Sequence, residues 1–268
     1  MKIAIPNKGR LYDKTVELLE LTGIKVPKNE RKLIASTNIE DIKIIFARAL
    51  DIPWYVESKA ADVGITGEDM IMESGADVEK LLKLNFGSCR IALASQNGKK
   101  DRIATKLPNI AKKYFPNATI INMNGGCEAA PKLGISDAIV DQVSSGDTLN
   151  ANNLNIDRIL FESSIYLIGN SQSKDDEKVE ELKLGLEGVL TAEEKRYIMY
   201  NVTSDKDLKT AVKVTPAMES PTVLKLAKEG EYSVHSVVDV KELMPAIRKI
   251  KEAGGKDILV LNMSRVVS

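Results

Sequence analysis

The hydrophobic positions at the start of the chain predict a strand followed by a helix. Residues 2–5, Lys-Ile-Ala-Ile, have the length of a short strand, and apolar residues recur at helical spacing from Arg10 until Gly23. Further strand-like runs occupy residues 43–47, 62–66, 90–94 and 118–122. Helical patterns lie among them at residues 52–61 and 103–115. Strands that alternate with helices of modest length indicate an α/β fold.

The pattern changes after Gly169. Apolar residues return at helical spacing over residues 177–190, which predicts a connecting helix. The remainder, residues 191–268, predicts strand, helix, strand, strand, helix and strand at residues 197–202, 206–212, 220–224, 232–238, 240–252 and 257–262. This βαββαβ order is that of a ferredoxin-like motif. Pro245 removes one hydrogen bond from the last helix, so it predicts a late start or a kink there.

Composition narrows the classes of partner. The 268 residues favour two domains. Because 38 Lys and Arg balance 38 Asp and Glu, the chain lacks the positive charge that nucleic-acid binding needs. No apolar run approaches the roughly 18 residues of a membrane span, and the first residues do not resemble a signal peptide. We therefore expect a cytoplasmic protein with no nucleic-acid or membrane partner, whose Cys89 and Cys127 are reduced thiols.

The residue types also restrict the chemistry. With one histidine and no cysteine cluster, a zinc site is close to excluded, and any metal would have oxygen ligands, which suits Mg²⁺. The single histidine, His235, alternates with valines in a strand pattern and is interpreted as structural.

The segment over residues 125–149 carries the most informative pattern. A strand over residues 137–143 is predicted to end in the small-residue turn Ser144-Ser145-Gly146-Asp147-Thr148. Such a turn presents backbone N–H groups and hydroxyls to a phosphate monoester. Asp141 lies beside it and could accept hydrogen bonds from sugar hydroxyls. These residues predict a ribose-phosphate pocket, although the turn also fits an ordinary polar turn with a capping residue.

Two other turns carry candidate binding residues. Lys8 and Arg10 lie between the first strand and the first helix, at a strand end where ligands bind in open α/β sheets. They could hold phosphates, or they could form a solvated basic turn. Asp69 follows the glycine-rich stretch of residues 64–67, and there a simple helix-capping role is the alternative.

Several segments together resemble the ATP phosphoribosyltransferase family. They are Ile5-Pro-Asn-Lys-Gly-Arg-Leu11, Ala61-Asp-Val-Gly-Ile-Thr-Gly-Glu-Asp69, Phe86-Gly87, Arg102-Ile-Ala-Thr-Lys-Leu-Pro-Asn109, residues 128–149, Thr215-Pro-Ala-Met-Glu-Ser-Pro-Thr222 and Ala253-Gly-Gly-Lys-Asp-Ile-Leu-Val260. The resemblance covers essentially the whole chain and is to the family's long form. It implies a Mg²⁺-dependent transfer of the 5-phosphoribosyl group of phosphoribosyl diphosphate (PRPP) to N1 of ATP, which opens histidine biosynthesis.

The resemblance also implies an architecture. Residues 1–190 would form a two-lobed catalytic domain, similar to periplasmic binding proteins, with the active site in the cleft. Lobe one would take residues 1–88 and 165–180, and lobe two residues 89–164. Residues 191–268 would form an ACT-like regulatory domain that binds histidine as inhibitor and helps build a hexamer from dimers.

The same resemblance implies the site residues. PRPP would contact Asp141, Val143, Ser144, Ser145, Gly146, Asp147 and Thr148. The catalytic residues would be Lys8, Arg10, Glu128 and Asp141. ATP would contact Arg10, Asp69 and Met70, and histidine would contact Val202, Met218, Thr222 and Asp257.

A different class of protein is the main alternative. A non-catalytic sensor could combine a binding-protein-like body with an ACT-like tail that responds to an amino acid. The predicted phosphate turn argues against it, because an amino-acid sensor does not need one. For residues 191–268 alone, a packing or dimerisation domain without a ligand is the alternative.

Overall fold

A computed structural model of the chain describes residues 1–28, 33–143, 149 and 151–267. It divides into two compact units, Met1–Lys183 and Leu184–Ser268. The predicted phosphate turn, residues 144–148, lies outside the described residues, as does the side chain of Arg10.

Within its described residues, the first unit is built on one nine-stranded sheet. Its strands are β1 (Lys2–Pro6), β2 (Ile34–Ser36), β3 (Lys43–Ala47), β4 (Val63–Gly67), β5 (Glu79–Ser95), β6 (Arg102–Thr105), β7 (Thr119–Asn122), β8 (Ala138–Val143) and β9 (Asn155–Gly169). Their order across the sheet is β2-β3-β1-β4-β9-β5-β8-β6-β7. The helices are α1 (Arg10–Leu21), α2 (Ile52–Glu57), α3 (Glu68–Ser74) and α4 (Pro108–Tyr114). Helix α5 (Glu177–Glu193) contains the point at which the two units divide.

The sheet contains two sets of parallel strands. β1 pairs in parallel with β3 and β4, and β6 pairs in parallel with β7 and β8. We call the first set with α1–α3 the first lobe, and the second set with α4 the second lobe. Each set has its carboxyl ends at one edge, where open α/β sheets bind ligands. The expected two-lobed α/β fold is thus confirmed.

The long strands β5 and β9 join the lobes as an antiparallel pair. Their register shifts between Leu84 and Cys89. Gly87 lies in this interruption with a φ of 66°, a backbone conformation that side chains disfavour. A Cβ at this position would lie 2.7 Å from Cδ2 of Leu11 and 3.2 Å from Cγ1 of Ile165. Glycine therefore lets the strand turn while α1 packs closely against it.

A buried carboxylate links α3 of the first lobe to α4 of the second. Glu73 is 4% exposed, and its two oxygens accept the backbone N–H groups of Asn109 and Ile110, each at 3.0 Å. The Asn109 side chain donates in return to the carbonyl oxygen of Glu73 at 2.7 Å. Burial raises the pKa of Glu73, and the two N–H bonds oppose part of that rise.

The second unit has the predicted ferredoxin-like order. It consists of β10 (Lys195–Val202), α6 (Asp205–Val214), β11 (Thr222–Lys225), β12 (Tyr232–Asp239), α7 (Leu243–Glu252) and β13 (Lys256–Leu261). The sheet order is β11-β12-β10-β13, with antiparallel neighbours. Helix α7 starts late, after a 3-10 turn, and Pro245 lies in its first turn. There the missing N–H would have no partner within the helix.

Some predicted elements are wrong in extent. The helix expected over residues 103–115 is a strand, β6, followed by the short helix α4. Pro108 explains the division, because a residue before proline is driven out of the helical region, and Leu107 is accordingly non-helical with ψ at 61°. The helix expected over residues 52–61 ends at Glu57. Sequence analysis did not predict strand β9, because its first five residues are all exposed and therefore show no alternation of buried and exposed positions.

We predict that Gly87→Ala destabilises the protein more than Gly98→Ala does. Both glycines have positive φ, but a Cβ at residue 98 has nothing within 4 Å. Backbone strain alone predicts a loss of about 1–2 kcal/mol for Gly98→Ala, and overpacking against Leu11 and Ile165 adds about 1–3 kcal/mol for Gly87→Ala. Urea unfolding measures both, and equal losses would show that the close approach at residue 87 costs nothing.

A second prediction concerns the pH dependence of stability at Glu73. Because burial raises the pKa of this carboxyl above its ordinary 4.5, the folded protein holds the proton more tightly than the unfolded chain. Its contribution to the free energy of unfolding therefore falls as pH rises from 4.5 through the raised pKa. Glu73→Gln lacks this change, so the unfolding free energy of wild type minus that of the variant should fall with rising pH. A difference that rises across that range in urea unfolding would contradict the prediction.

Candidate active site

A cavity of about 460 Å³ lies where the two parallel strand sets end. Its volume is in the range of small-molecule sites. Residues that follow strand ends line it from both lobes: Lys8 after β1, Arg48 after β3, Met70 in α3, Lys106 after β6 and Asn124 after β7. The remaining lining residues are Pro6, Leu11, Ala49, Leu50, Asp69, Gly87, Cys89, Leu107, Gln142 and Ile165.

The cationic side chains of the lining give the cavity its chemical character. Lys8 and Arg48 come from the first lobe, and Lys106 comes from the second. The ammonium of Lys106 is 3.0 Å from a carboxylate oxygen of Asp141. Both side chains are partly exposed, so this ion pair contributes little to stability, and the ammonium can exchange its partner for an anionic ligand. A cavity with such cations suits a ligand that carries several phosphates.

The backbone of Lys106 is fixed by the residue before it. Thr105 is fully buried, and its hydroxyl donates to the carbonyl oxygen of Val140 at 2.6 Å. The same hydroxyl accepts the N–H of Leu107 at 2.9 Å. The loop after β6 is thereby attached to β8, the strand that carries Asp141.

Asp69 is a buried residue with defined partners. It is 2% exposed, and the Ser163 hydroxyl on β9 donates to its Oδ1 at 2.8 Å. The side-chain amide of Gln142 on β8 donates to its other oxygen. The start of α3 is thus bonded to two strands of the sheet, which holds Asp69 and Met70 at the cavity wall.

Glu128 lies in a short 3-10 helix, Cys127–Ala129. Burial raises the pKa of the Cys127 thiol, and the negative charges of Asp141 and Glu128 raise it further, whereas Lys106 lowers it. Val143 ends β8 and is buried, directly before residues 144–148, which lie outside the described residues.

Three of the residues predicted from sequence, Lys8, Asp69 and Met70, line one cavity. Asp141 is connected to this cavity by its ion pair with Lys106, which also lines it. Sequence analysis missed the lining residues Arg48, Lys106, Asn124 and Gln142. The rule that drew attention to Lys8 also applies to Arg48, which directly follows the correctly predicted strand β3. Lys106 was missed because the pattern over residues 103–115 predicts one helix, so no strand end is expected before it.

The predicted histidine contacts are separated within one chain. Thr222 lies on β11 and Asp257 on β13, the two opposite edges of the four-stranded sheet, so three strand spacings place them about 14 Å apart. Thr222 and Asp257 are exposed, and Met218 is 48% exposed. Val202 is fully buried in the core of the unit.

The described residues contain neither a metal-binding cluster of side chains nor a membrane-spanning helix. Among them, no three His, Cys, Asp or Glu side chains cluster closely enough to hold a metal ion. Likewise, the described part of the chain has no helix that is long and apolar enough to cross a membrane.

Two family models match the chain. The model described as HisG, ATP phosphoribosyltransferase, matches residues 48–188, and the model described as HisG, C-terminal domain, matches residues 192–265. A solved structure titled "ATP phosphoribosyl transferase (HisG:HisZ) complex from Thermotoga maritima" is 31% identical with a TM-score of 0.62. It covers 70% of this chain and 98% of its own.

Curated relatives match over the full length. "ATP phosphoribosyltransferase" of Methanosarcina mazei is 41% identical over 100% of this chain and 99% of its own length. The protein of the same name from Ignicoccus hospitalis is 42% identical, with 100% of both chains covered. Such agreement over both units excludes the sensor alternative. The chain belongs to the ATP phosphoribosyltransferase family in its long form, and it is a transferase for the first step of histidine biosynthesis.

Proposed function

We propose that the cavity between the lobes is the active site, with PRPP on the second-lobe side and ATP on the first-lobe side. The observation that carries this proposal is that both sets of strand ends meet at one cavity with cationic residues from each lobe. PRPP would contact Asp141, Val143 and residues 144–148. ATP would contact Arg10, Asp69 and Met70.

The reaction explains why this cavity needs both signs of charge. Breaking the bond between C1′ and the diphosphate leaves positive charge on the sugar and negative charge on the leaving group. Lys8, Arg10 and Lys106 would stabilise the diphosphate, and Asp141 and Glu128 would face the ribose. Groups aimed in advance at these charges lower the barrier most, because they need no rearrangement during the reaction.

The nucleophile needs little activation. N1 of adenine is a neutral nitrogen with a free electron pair, so it can attack C1′ without a general base. The main catalytic device would be positioning, in which each lobe holds one substrate. The bonds of Asp69 to Ser163 and Gln142 fix one of the groups that would hold the purine. A single histidine in the chain is compatible with this chemistry.

We propose Mg²⁺ as the cofactor. Magnesium usually binds through one or two carboxylates together with substrate phosphates, so a closed cluster of three acidic residues is not required. Asp141 and Glu128 are the acidic residues that the resemblance to the family assigns to this site, and they would hold the ion together with PRPP. Bound Mg²⁺ would neutralise the diphosphate as it leaves.

We further propose histidine as a feedback inhibitor that binds to the second unit. Thr222 and Asp257 lie on opposite edge strands of the sheet, so a second copy that packs one edge near the other would bring both residues to one histidine. This favours a homo-oligomer, a hexamer built from dimers, as the regulated form. Val202 would act by packing beneath the site, since it is buried. We place the protein in the cytoplasm, where ATP and PRPP are available.

Asp141→Asn tests the donor site. If Asp141 binds the ribose hydroxyls, loss of its charge should lower kcat/KM for PRPP by about 10- to 100-fold, the effect of one or two charged hydrogen bonds. Thr148→Ala should lower it by about threefold to tenfold. The assay follows phosphoribosyl-ATP formation from ATP, PRPP and Mg²⁺.

Asp137→Asn is the matched control for that experiment. Asp137 directly precedes β8 and pairs with Arg102 at the surface, at the opposite end of the strand from the cavity. Full activity in Asp141→Asn, or an equal loss in Asp137→Asn, would contradict the site assignment.

Thr222→Ala tests the inhibitor site. The histidine concentration that halves the rate should rise about threefold to tenfold, because one hydroxyl hydrogen bond is lost. Thr210→Ala on α6, where the exposed hydroxyl donates to the carbonyl oxygen of Lys206, is the control and should leave inhibition unchanged. Identical inhibition curves for wild type and Thr222→Ala would remove Thr222 from the site.

A further inference from the structure

The first turn of α4 has backbone donors that its own sequence does not satisfy. The helix begins at Pro108, which has no N–H, and the preceding residue, Leu107, has no side-chain oxygen to act as a cap. The next two N–H groups, of Asn109 and Ile110, therefore need an acceptor from elsewhere. Both donate to the carboxylate of Glu73.

This cap comes from the other lobe. Glu73 belongs to α3, and its carboxylate takes the place that a local Ser or Asp usually takes at a helix start. A carboxylate there is favoured by the helix dipole, and its hydrogen bonds are charge-assisted. The return bond from the Asn109 side chain to the backbone of Glu73 makes the link two-sided.

The link is close to Lys106. Only Leu107 separates Lys106 from the first residue of α4, and Leu107 is 1% exposed. Thr105 attaches the loop to β8 on one side, and Glu73 attaches it to α3 on the other. The ammonium of Lys106 can therefore reach the cavity from only a narrow range of backbone positions.

We propose that Glu73 is a positioning residue that holds Lys106 where it binds the phosphates of PRPP. Glu73 contacts no substrate and acts through the first turn of α4. Because α3 also begins with Asp69, the same helix would set the ATP side and the PRPP side of the cavity relative to each other. This inference rests on the proposed function of the cavity.

A double-mutant cycle tests the proposal. The dissociation constant for PRPP with Mg²⁺ is measured by titration calorimetry for wild type, Glu73→Gln, Lys106→Met and the double variant. Lys106→Met should weaken binding by about 10- to 100-fold, because it removes a charged hydrogen bond to the phosphates. Glu73→Gln should weaken it by about fivefold, because Glu73 acts only through the position of Lys106. In the Lys106→Met background, Glu73→Gln should change binding by less than about twofold, because its effect passes through Lys106.

Glu57→Gln is the matched control. Glu57 also accepts a backbone N–H, from Asp77 at 2.8 Å, but it lies in the first lobe away from α4, so its variant should bind PRPP as wild type does. Thermal unfolding verifies that each variant is folded. Should Glu73→Gln fail to fold, Glu73→Asp, which keeps the charge with a shorter reach, takes its place in the cycle.

Three results would overturn the inference: unchanged binding in Lys106→Met, unchanged binding in Glu73→Gln, or effects that multiply in the double variant. A wild-type protein that does not bind PRPP would instead defeat the proposed function. The two failures are therefore distinguishable.

Discussion

The geometry of parallel strands is the constraint on which the rest of the structure depends. All strands of a parallel set end at the same edge, so β1, β3 and β4 place their following loops together, and β6, β7 and β8 do the same. The antiparallel pair β5 and β9 joins the two sets in one sheet. Both edges then border one cavity, and a reaction between two phosphate-bearing substrates can be assembled from short loops on rigid strands.

Buried polar contacts of α3 complement this arrangement. Asp69 at its start is bonded to Ser163 and Gln142, and Glu73 near its end is bonded to the first turn of α4. A buried carboxylate is stable only when its oxygens have donors, so each of these contacts specifies a single arrangement of neighbours. The short helix α3 therefore orders the cavity wall, although it contributes few residues to the lining.

Sequence analysis succeeded where local signals are strong. The βαββαβ order of the second unit, the strand over residues 43–47 and the late start of α7 follow from hydrophobic spacing and from Pro245. It failed where tertiary contacts decide, as for β9, whose exposed half is held by pairing with β5. The site residues divide in the same way: Lys8 follows a clear strand end, whereas Lys106 follows a strand hidden in a helical pattern. The cap supplied by Glu73 lies 36 residues from Asn109 and has no signal in sequence.

A crystal structure of the protein with PRPP and Mg²⁺ tests the central claim most directly. The account predicts density for the 5-phosphate at residues 144–148, the ribose beside Asp141 and the diphosphate within reach of Lys106 and Lys8. PRPP bound outside the cavity, with Asp141 still paired to Lys106, would contradict the account.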